Sequence, residues 1–261
     1  MSGVVEDAAG RIWHAHEAGE ACAPVRELIG VADIAAAYAV QETNTKRWLA
    51  AGRRIVGRKI GLTSKAVQTQ LGVDQPDFGM LYDDMLLRSG ASVSLAKVMQ
   101  AKVEAEIALV LSRPLTKSTH TPEDIAAATA HALPAIEIVG SRIANWDIKI
   151  VDTIADNASS GMFVLGADQA PLDAFDLVKC KMVMTRGDGT EVSSGTGAAC
   201  LGSPLFAAAW LADTMVRVGR PLQAGDVLMT GALGPMVKVA TGDMFEAKIE
   251  GLGSVKVSFT A

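Results

Sequence analysis

Three glutamates stand in otherwise apolar segments of the chain, which is an unusual place for a carboxylate. Glu104 and Glu106 lie in the apolar segment 103–110. If this segment is a β-strand, the two side chains project from the same face, because side chains alternate along a strand. Neighbouring carboxylates on a buried face repel each other unless they share a proton or bind a cation. The pair therefore predicts a site for a hard divalent ion, with a solvent-facing strand as the alternative.

Glu137 is a third acid of the same kind, alone inside the apolar segment 133–139. A buried carboxylate without a partner is unfavourable by several kcal/mol, so three such acids in two core strands suggest a shared cation. A set of three carboxylates leaves open positions on the ion for a chelating substrate. The alternative is that the three acids are separate and lie at the surface or in ion pairs.

Lys59 and Asp77 are the next residues that could carry chemistry. Lys59 is one charge in the strand-like segment 57–63, and Asp77 follows Pro76 in a segment whose proline and glycine predict a loop. Beside a metal ion the pKa of Lys59 would fall, which would make it an acid or base near neutral pH. The functional interpretation pairs Asp77 with Lys59. The alternatives are a lysine that extends to solvent and an acid that caps a turn.

A polar cluster follows in the segment 151–161. It either forms a turn with local side-chain hydrogen bonds or supplies donors for a substrate carboxylate. Its members are Asp152, Asp156, Asn157, Ser159 and Ser160.

The elements that must position these residues are of mixed type. Residues 1–53 are predicted to form a helical region that packs on a main domain at 54–261, with Gly52 ending its last helix. Strands are predicted at 55–62, 102–111 and 135–139. A helix that begins at Thr121 is predicted to end near residue 133, because Pro134 follows. A further helix at 204–218 and a β-rich C-terminal part with a hairpin at 251–253 complete an α+β fold with a curved mixed sheet.

Composition and motifs exclude several classes of protein. The net charge of −5 and the lack of a basic cluster argue against nucleic-acid binding. Cys22, Cys180 and Cys200 have no CxxC spacing, which argues against a zinc site or a disulfide framework. No dinucleotide or Walker motif is present. Neither a signal peptide nor an apolar run of membrane-spanning length is apparent, so we expect a cytoplasmic protein that does not bind membranes.

Six segments resemble a known family when they are taken together and in order. The chain is similar over nearly its whole length to the 2-oxopent-4-enoate (2-hydroxypenta-2,4-dienoate) hydratases, in the hydratase/decarboxylase branch of the fumarylacetoacetate-hydrolase superfamily. The segments that carry the resemblance are 59–64, 75–79, 104–108, 137–142, 155–161 and 230–237.

The resemblance implies a mixed β-sandwich or β-roll with peripheral helices. It also implies homo-oligomers (pentamers or decamers), a small 2-oxo or 2-hydroxydienoic acid as substrate, and association with a downstream aldolase. It assigns Mg²⁺ or Mn²⁺ to the three glutamates and proton transfer to Lys59 and Asp77. The substrate-binding residues that it implies are Ser160, Phe78 and Thr63.

The implied reaction is hydration of 2-hydroxypenta-2,4-dienoate to 4-hydroxy-2-oxopentanoate in the meta-cleavage degradation of aromatic compounds. Two alternatives remain at this stage. The first is a decarboxylase of the 4-oxalocrotonate type, because those enzymes share the acids. The second is a non-catalytic partner subunit of a pathway enzyme. The segments around Asp77, Gly161 and Gly234 resemble the hydratase versions.

Overall fold

The helices and strands of this chain build two β-sheets with helices packed around them. A computed structural model describes residues 2–64, 68–69 and 73–261. The helices are α1 (Ser2–Ala18), α2 (Arg26–Ile29), α3 (Ile34–Ala50), α4 (Pro122–Ala128), α5 (Ile150–Ala155) and α6 (Pro204–Arg217). The strands are β1 (Ile55–Gly61), β2 (Asp77–Tyr82), β3 (Leu86–Arg88), β4 (Ala91–Ser94), β5 (Lys102–Leu111), β6 (Thr129–Val139), β7 (Ser160–Leu165), β8 (Lys181–Arg186), β9 (Glu191–Thr196), β10 (Val227–Ala232), β11 (Val237–Lys238), β12 (Met244–Ile249) and β13 (Gly253–Thr260).

The larger sheet has the strand order β2-β1-β10-β5-β6-β7-β3, with β11 paired to one end of β5. The smaller sheet has the order β4-β13-β12-β8-β9. Both sheets are mixed, because β1 runs parallel to β10 and β13 runs parallel to β4 while the long central pairs are antiparallel. Side chains from the two sheets share one core, which includes Ile107, Ile136, Phe245 and Val257. The predicted α+β fold of the sandwich or roll type is confirmed.

Strands β5 and β6 lie at the centre of the larger sheet. Both consist largely of alanine and aliphatic residues, and most of their side chains are buried. Such continuous apolar strands are typical of a sheet that is covered on both faces. A charged side chain at the middle of either strand is therefore held away from bulk water.

The prediction that the helix beginning at Thr121 continues to residue 133 is wrong. Thr121 caps α4 as expected, but the helix ends at Ala128, and β6 already begins at Thr129. Pro134 lies inside β6, where its carbonyl accepts a hydrogen bond from Gly166 N at the end of β7. In a strand the N and O of one residue point the same way, so the missing N–H faces the end of β7 and leaves the β5 ladder intact.

Helices α1, α3 and α5 enclose a second, smaller core. It contains Ala9, Val40 and Ile154, all of which are buried. The helical prediction for the N-terminal region is right for α1 and α3, although residues 19–33 between them contain only the short helix α2. Gly52 follows α3 with a φ of 94° and donates its N–H to Leu49 O, as expected of a residue that ends a helix.

Helix α6 is a core helix. The segment Gly197–Arg217 has the length and hydropathy of a membrane span, but 56% of its most apolar window is buried inside the protein. Ala208, Leu211 and Met215 contribute to the main core with no exposed surface. Its apolar character is therefore explained by packing, and Gly219 ends it with a φ of 76°, as the sequence predicts.

Candidate active site

The three glutamates lie together on one face of the β5–β6 pair. Glu104 is directly opposite Glu137 in the strand register, and Glu106 is two residues further along β5. Residues that face each other across an antiparallel pair project from the same side of the sheet. One carboxylate oxygen from each glutamate lies within 4.8 Å of those from the other two.

Burial and mutual repulsion make the charged forms of these acids unfavourable. Glu106 and Glu137 are 0% and 1% exposed. Burial, and after it the neighbouring Glu137, raises the pKa of Glu104 to about 7. Burial and the same neighbour raise the pKa of Glu106 well above its usual range. A carboxylate set of this kind is stabilised in its charged form by a cation.

Several oxygens of the set accept no hydrogen bond. In the part of the chain that the structure describes, Glu106 Oε1 and both carboxylate oxygens of Glu137 are buried without a hydrogen bond. Buried acceptors are almost always satisfied in folded proteins, so these atoms are suited to coordination. An all-oxygen donor set matches a hard divalent ion such as Mg²⁺ or Mn²⁺.

The other oxygen of Glu106 is held by the backbone. Gly231 N donates a hydrogen bond of 2.8 Å to Glu106 Oε2. Gly231 has a φ of 107°, and a Cβ on it would lie 2.3 Å from Thr63 Oγ1. Both observations require glycine at this position. Sequence reasoning missed this role, although the glycine between Thr230 and Ala232 was a signal for it.

Lys59 reaches the carboxylates from the far side of β10. Its Nζ lies 3.3 Å from Glu137 Oε1 and donates a hydrogen bond of 2.9 Å to Ala158 O. Burial lowers the pKa of Lys59, but the charges of Glu137 and Asp77 outweigh burial and raise it above its usual value. In this environment Lys59 carries its proton.

The Ala158 carbonyl is presented by an unusual loop. Asn157, Ala158 and Ser159 all adopt left-handed φ values between 52° and 55°. This conformation is unfavourable for residues other than glycine and needs support from its surroundings. The Asn157 side chain provides this support. Its Oδ1 accepts a hydrogen bond from Met80 N on β2, and its Nδ2 donates one to Met80 O. The loop is thereby tied to the strand that carries Asp77.

Asp77 is the first residue of β2 and is paired with Gly61, so the prediction of a loop at this position is wrong. A Cβ on Gly61 would lie 2.1 Å from Asp77 Oδ1 and 3.4 Å from Lys59 Nζ. Asp77 Oδ1 and Lys59 Nζ therefore lie beside the space that a side chain at Gly61 would occupy. Burial raises the pKa of Asp77, while Lys59 lowers it. Asp77 Oδ1 has no hydrogen-bond partner in the described residues.

Three of these groups line one cavity of about 350 Å³. They are Lys59, Asp77 and Glu104, and Thr63 lies in the same wall. The remaining wall is largely apolar and includes Trp146 and Met236. A cavity with apolar walls and a few convergent polar groups is suited to a small organic acid.

Two of the residues that the resemblance assigns to substrate binding lie elsewhere in the structure. The ring of Phe78 stacks on Tyr38 of α3 with 4.6 Å between ring centroids, on the side of the N-terminal helices. Ser160 lines a smaller cavity of about 120 Å³ beneath α1 and α3, and its buried Oγ has no hydrogen-bond partner among the described residues. Neither residue lines the cavity that contains Lys59 and Glu104.

The aspartates of the polar cluster are used in ion pairs. Asp152 accepts hydrogen bonds from Arg26 N and from the Arg26 guanidinium. Asp156 is fully buried against Arg142, which also donates to Ser160 O at 2.7 Å. These contacts connect α2, α5 and the loop after β6, so both acids stabilise the frame around the cavity.

Comparison with known proteins places this arrangement among related chains. Residues 48–260 match the family model described as "Fumarylacetoacetate (FAA) hydrolase C-terminal". A protein of Dechloromonas aromatica named "2-keto-4-pentenoate hydratase 2" is 60% identical over 254 residues, which is 97% of each chain. The "TodF product hydratase" of Pseudomonas putida is 58% identical over 258 residues, which is 99% of this chain and 96% of the relative.

A solved structure is similar over the same length. It is the 4-oxalocrotonate decarboxylase of Pseudomonas putida G7 in complex with magnesium and adipate, which is 36% identical. Its TM-score is 0.94, and the match covers 99% of this chain and 98% of that chain. The likeness includes the N-terminal helices, which lie mostly outside the match to the family model.

Proposed function

The chain belongs to the fumarylacetoacetate hydrolase family, and on this basis we propose that it is a divalent-metal-dependent hydro-lyase. It adds water to 2-hydroxypenta-2,4-dienoate (2-oxopent-4-enoate) and forms 4-hydroxy-2-oxopentanoate. The family resemblance found in the sequence is confirmed by the match to the family model and by the hydratase relatives. The observation that carries the proposal is one cavity that is lined by Lys59, Asp77 and Glu104, the last of which belongs to the close set of three glutamates.

Glu104, Glu106 and Glu137 would hold the metal ion, since their carboxylates lie close together. Glu106 and Glu137 are buried, and both have oxygens that accept no hydrogen bond. Mg²⁺ or Mn²⁺ would act there as a Lewis acid for an oxygen of the bound 2-oxo acid. Gly231 N keeps Glu106 in position, and Lys59 offsets part of the negative charge of Glu137.

Lys59 and Asp77 move the protons. The dienol loses its 2-hydroxyl proton and gains one at C5, which gives an α,β-unsaturated ketone. Water then adds at C4, loses a proton, and C3 gains one. Lys59 Nζ carries a proton in its buried environment. It gives this proton to C5, takes up the 2-hydroxyl proton in exchange, and later gives that proton to C3. Transfer of the proton that Asp77 takes from water then restores Lys59. Asp77 Oδ1 has no hydrogen bond to lose and takes the proton from the water.

Decarboxylation of a 2-oxo dioic acid is the second candidate function, and the 36% identical decarboxylase structure is the observation that favours it. The same acids would serve both reactions. The 60% and 58% identical relatives that are named hydratases favour hydration.

The test is a comparison of two assays on the purified chain with Mn²⁺. We expect loss of the dienoate absorbance as 4-hydroxy-2-oxopentanoate forms, and no CO₂ release from 2-oxohex-3-enedioate above background. Turnover by the chain alone would also exclude a purely non-catalytic partner subunit. CO₂ release faster than hydration would overturn the assignment.

We extend the proposal to the setting of the enzyme. It acts in the meta-cleavage degradation of aromatic compounds, in the cytoplasm, as a homo-oligomer such as a pentamer or decamer, and it associates with a downstream aldolase that consumes its product. Val31 and Phe206 are 63% and 54% exposed and are suited to burial between subunits. Light scattering on the purified chain tests this, because a monomer would contradict the proposed oligomer.

A further inference from the structure

Lys102 carries a positive charge that the proton-transfer scheme does not use. It precedes Glu104 by two residues on β5, so the two side chains project from the same face of the strand. Both residues line the cavity of about 350 Å³. Lys102 is half-buried, and no ion pair joins it to a carboxylate of the described residues. A half-buried ammonium without a counter-ion is suited to an anionic ligand.

Trp146 holds this ammonium at the cavity wall. Lys102 Nζ lies 3.8 Å from the centroid of the indole ring, which is within the range of a cation–π contact. The ring is itself fixed, because its N–H donates to Gln100 O at 3.0 Å. The Gln100 amide in turn donates to Ser141 O and Ile143 O. The position of the Lys102 ammonium is therefore set by the indole ring of Trp146, which a hydrogen-bonded loop holds in place.

The charge balance of the cavity calls for such a group. Near the glutamate set, three glutamates and Asp77 lie around one buried lysine, Lys59, so the acids outnumber the buried cation when they are ionised. The other lysines that line the cavity are the half-buried Lys102 and the exposed Lys149. A carboxylate that approaches this site is repelled by the excess charge in a medium of low dielectric constant. A further cation beside Glu104 reduces this repulsion where an anionic substrate must enter.

We propose that Lys102, held against Trp146, binds the carboxylate group of the 2-oxo acid substrate in the cavity. This inference rests on the proposed function and names the residue that recognises the acid group. The contact is the same in the bound substrate and in the transition state. Its loss is therefore expected to raise KM and to leave kcat within about threefold.

The test is calorimetric binding to the Mn²⁺-loaded protein of two ligands that differ at the acid group, one charged and one a neutral methyl ester. 2-Oxopentanoate has the carboxylate, and methyl 2-oxopentanoate has a neutral ester in its place. We expect Lys102→Met to weaken 2-oxopentanoate binding about tenfold or more and ester binding less than twofold. Lys102→Arg is expected to restore the discrimination between the two ligands.

Lys238→Met is the matched control. Lys238 is the cross-strand neighbour of Lys102 on β11, is exposed, and does not line the cavity. The substitution Lys238→Met removes the same charge from the same region. If both substitutions weaken binding equally, the effect comes from the electrostatic field of any nearby positive charge, and the inference is overturned.

Trp146→Leu is expected to weaken binding of the acid about threefold, because the Lys102 ammonium loses its contact with the indole ring.

Three further results would contradict the role of Lys102. The first is unchanged 2-oxopentanoate binding in Lys102→Met. The second is equal weakening of the acid and the ester. The third is weakening only of the dicarboxylate 2-oxohexanedioate, which would mean that Lys102 binds a distal carboxylate. Hydration by the wild type is measured separately: if it is absent, the proposed function fails, while the ligand pair still decides whether Lys102 binds a carboxylate.

Discussion

The substitution Gly61→Ala separates the catalytic geometry from the stability of the fold. The new Cβ would lie 2.1 Å from Asp77 Oδ1, whereas Cβ contacts below 3.0 Å essentially do not occur. Asp77 Oδ1 must therefore retreat by about 1 Å, because atoms cannot overlap at such distances. The contact with Lys59 Nζ, at 3.4 Å, is ordinary and requires no movement. The substitution thus displaces one of the two proton-transfer groups and leaves the other in place.

The expected effect on activity is large and the effect on stability is small. A displacement of about 1 Å in a reacting group reduces the rate about 100-fold, so kcat/KM for hydration should fall by about that factor. Asp77 Oδ1 has no hydrogen bond to lose, and Gly61 does not have a positive φ. The free energy of unfolding should therefore change by less than about 1 kcal/mol. The assays are the initial rate of dienoate loss at saturating Mn²⁺, urea unfolding, and calorimetric Mn²⁺ binding.

Gly57→Ala on the same strand is the matched control. Its Cβ would lie 2.0 Å from the backbone oxygen of Val227, which cannot retreat without disturbing the β1–β10 pairing. This variant should lose stability, with activity following the folded fraction. The reasoning on Gly61→Ala is refuted if the variant is folded, binds Mn²⁺ normally and hydrates within twofold of the wild type. A loss of activity that follows a loss of Mn²⁺ affinity would also refute it.

Three other predictions concern the metal site and its frame. Mn²⁺ at a hundred times its Kd should stabilise the wild type by about 2.7 kcal/mol and raise Tm by about 5–10 °C. The variant Glu137→Gln should not show this shift in Tm. If the variant keeps the shift, Glu137 is not a ligand. The pKa of Glu104 is about 7, and burial also raises the pKa values of Glu106 and Glu137, so protons compete with the metal for these carboxylates. Calorimetric Mn²⁺ affinity should therefore weaken by about tenfold or more per pH unit below 7; a constant affinity between about pH 5.5 and 7 would contradict this linkage. Arg142→Met leaves the buried Asp156 carboxylate without its cation and should reduce the urea-derived free energy of unfolding by about 3–5 kcal/mol. Arg54→Met, at an exposed pair, should change it by less than about 1 kcal/mol, and equal effects of the two substitutions would contradict the assigned role of burial.

Local patterns in the sequence were sufficient for several features. Alternation along a single strand predicts that Glu104 and Glu106 share a face, and in the structure both lie on β5 with their carboxylates close together. Capping residues also give the start of α4 at Thr121 and the end of α6 at Gly219. These features depend on residues a few positions apart, where backbone geometry determines which side chains meet. The hydration chemistry was inferred from six segments that resemble one family.

Tertiary structure decided which distant residues meet. The β5–β6 register places Glu137 opposite Glu104, and Lys59 reaches Glu137 from beyond β10. The Gly231 N–H that orients Glu106 and the left-handed loop that presents Ala158 O depend on contacts across more than 75 positions of the chain. Packing also turned Phe78 toward the N-terminal helices. Strand register and side-chain reach are set by the whole core, because a shift of one residue would turn every side chain of a strand to the other face.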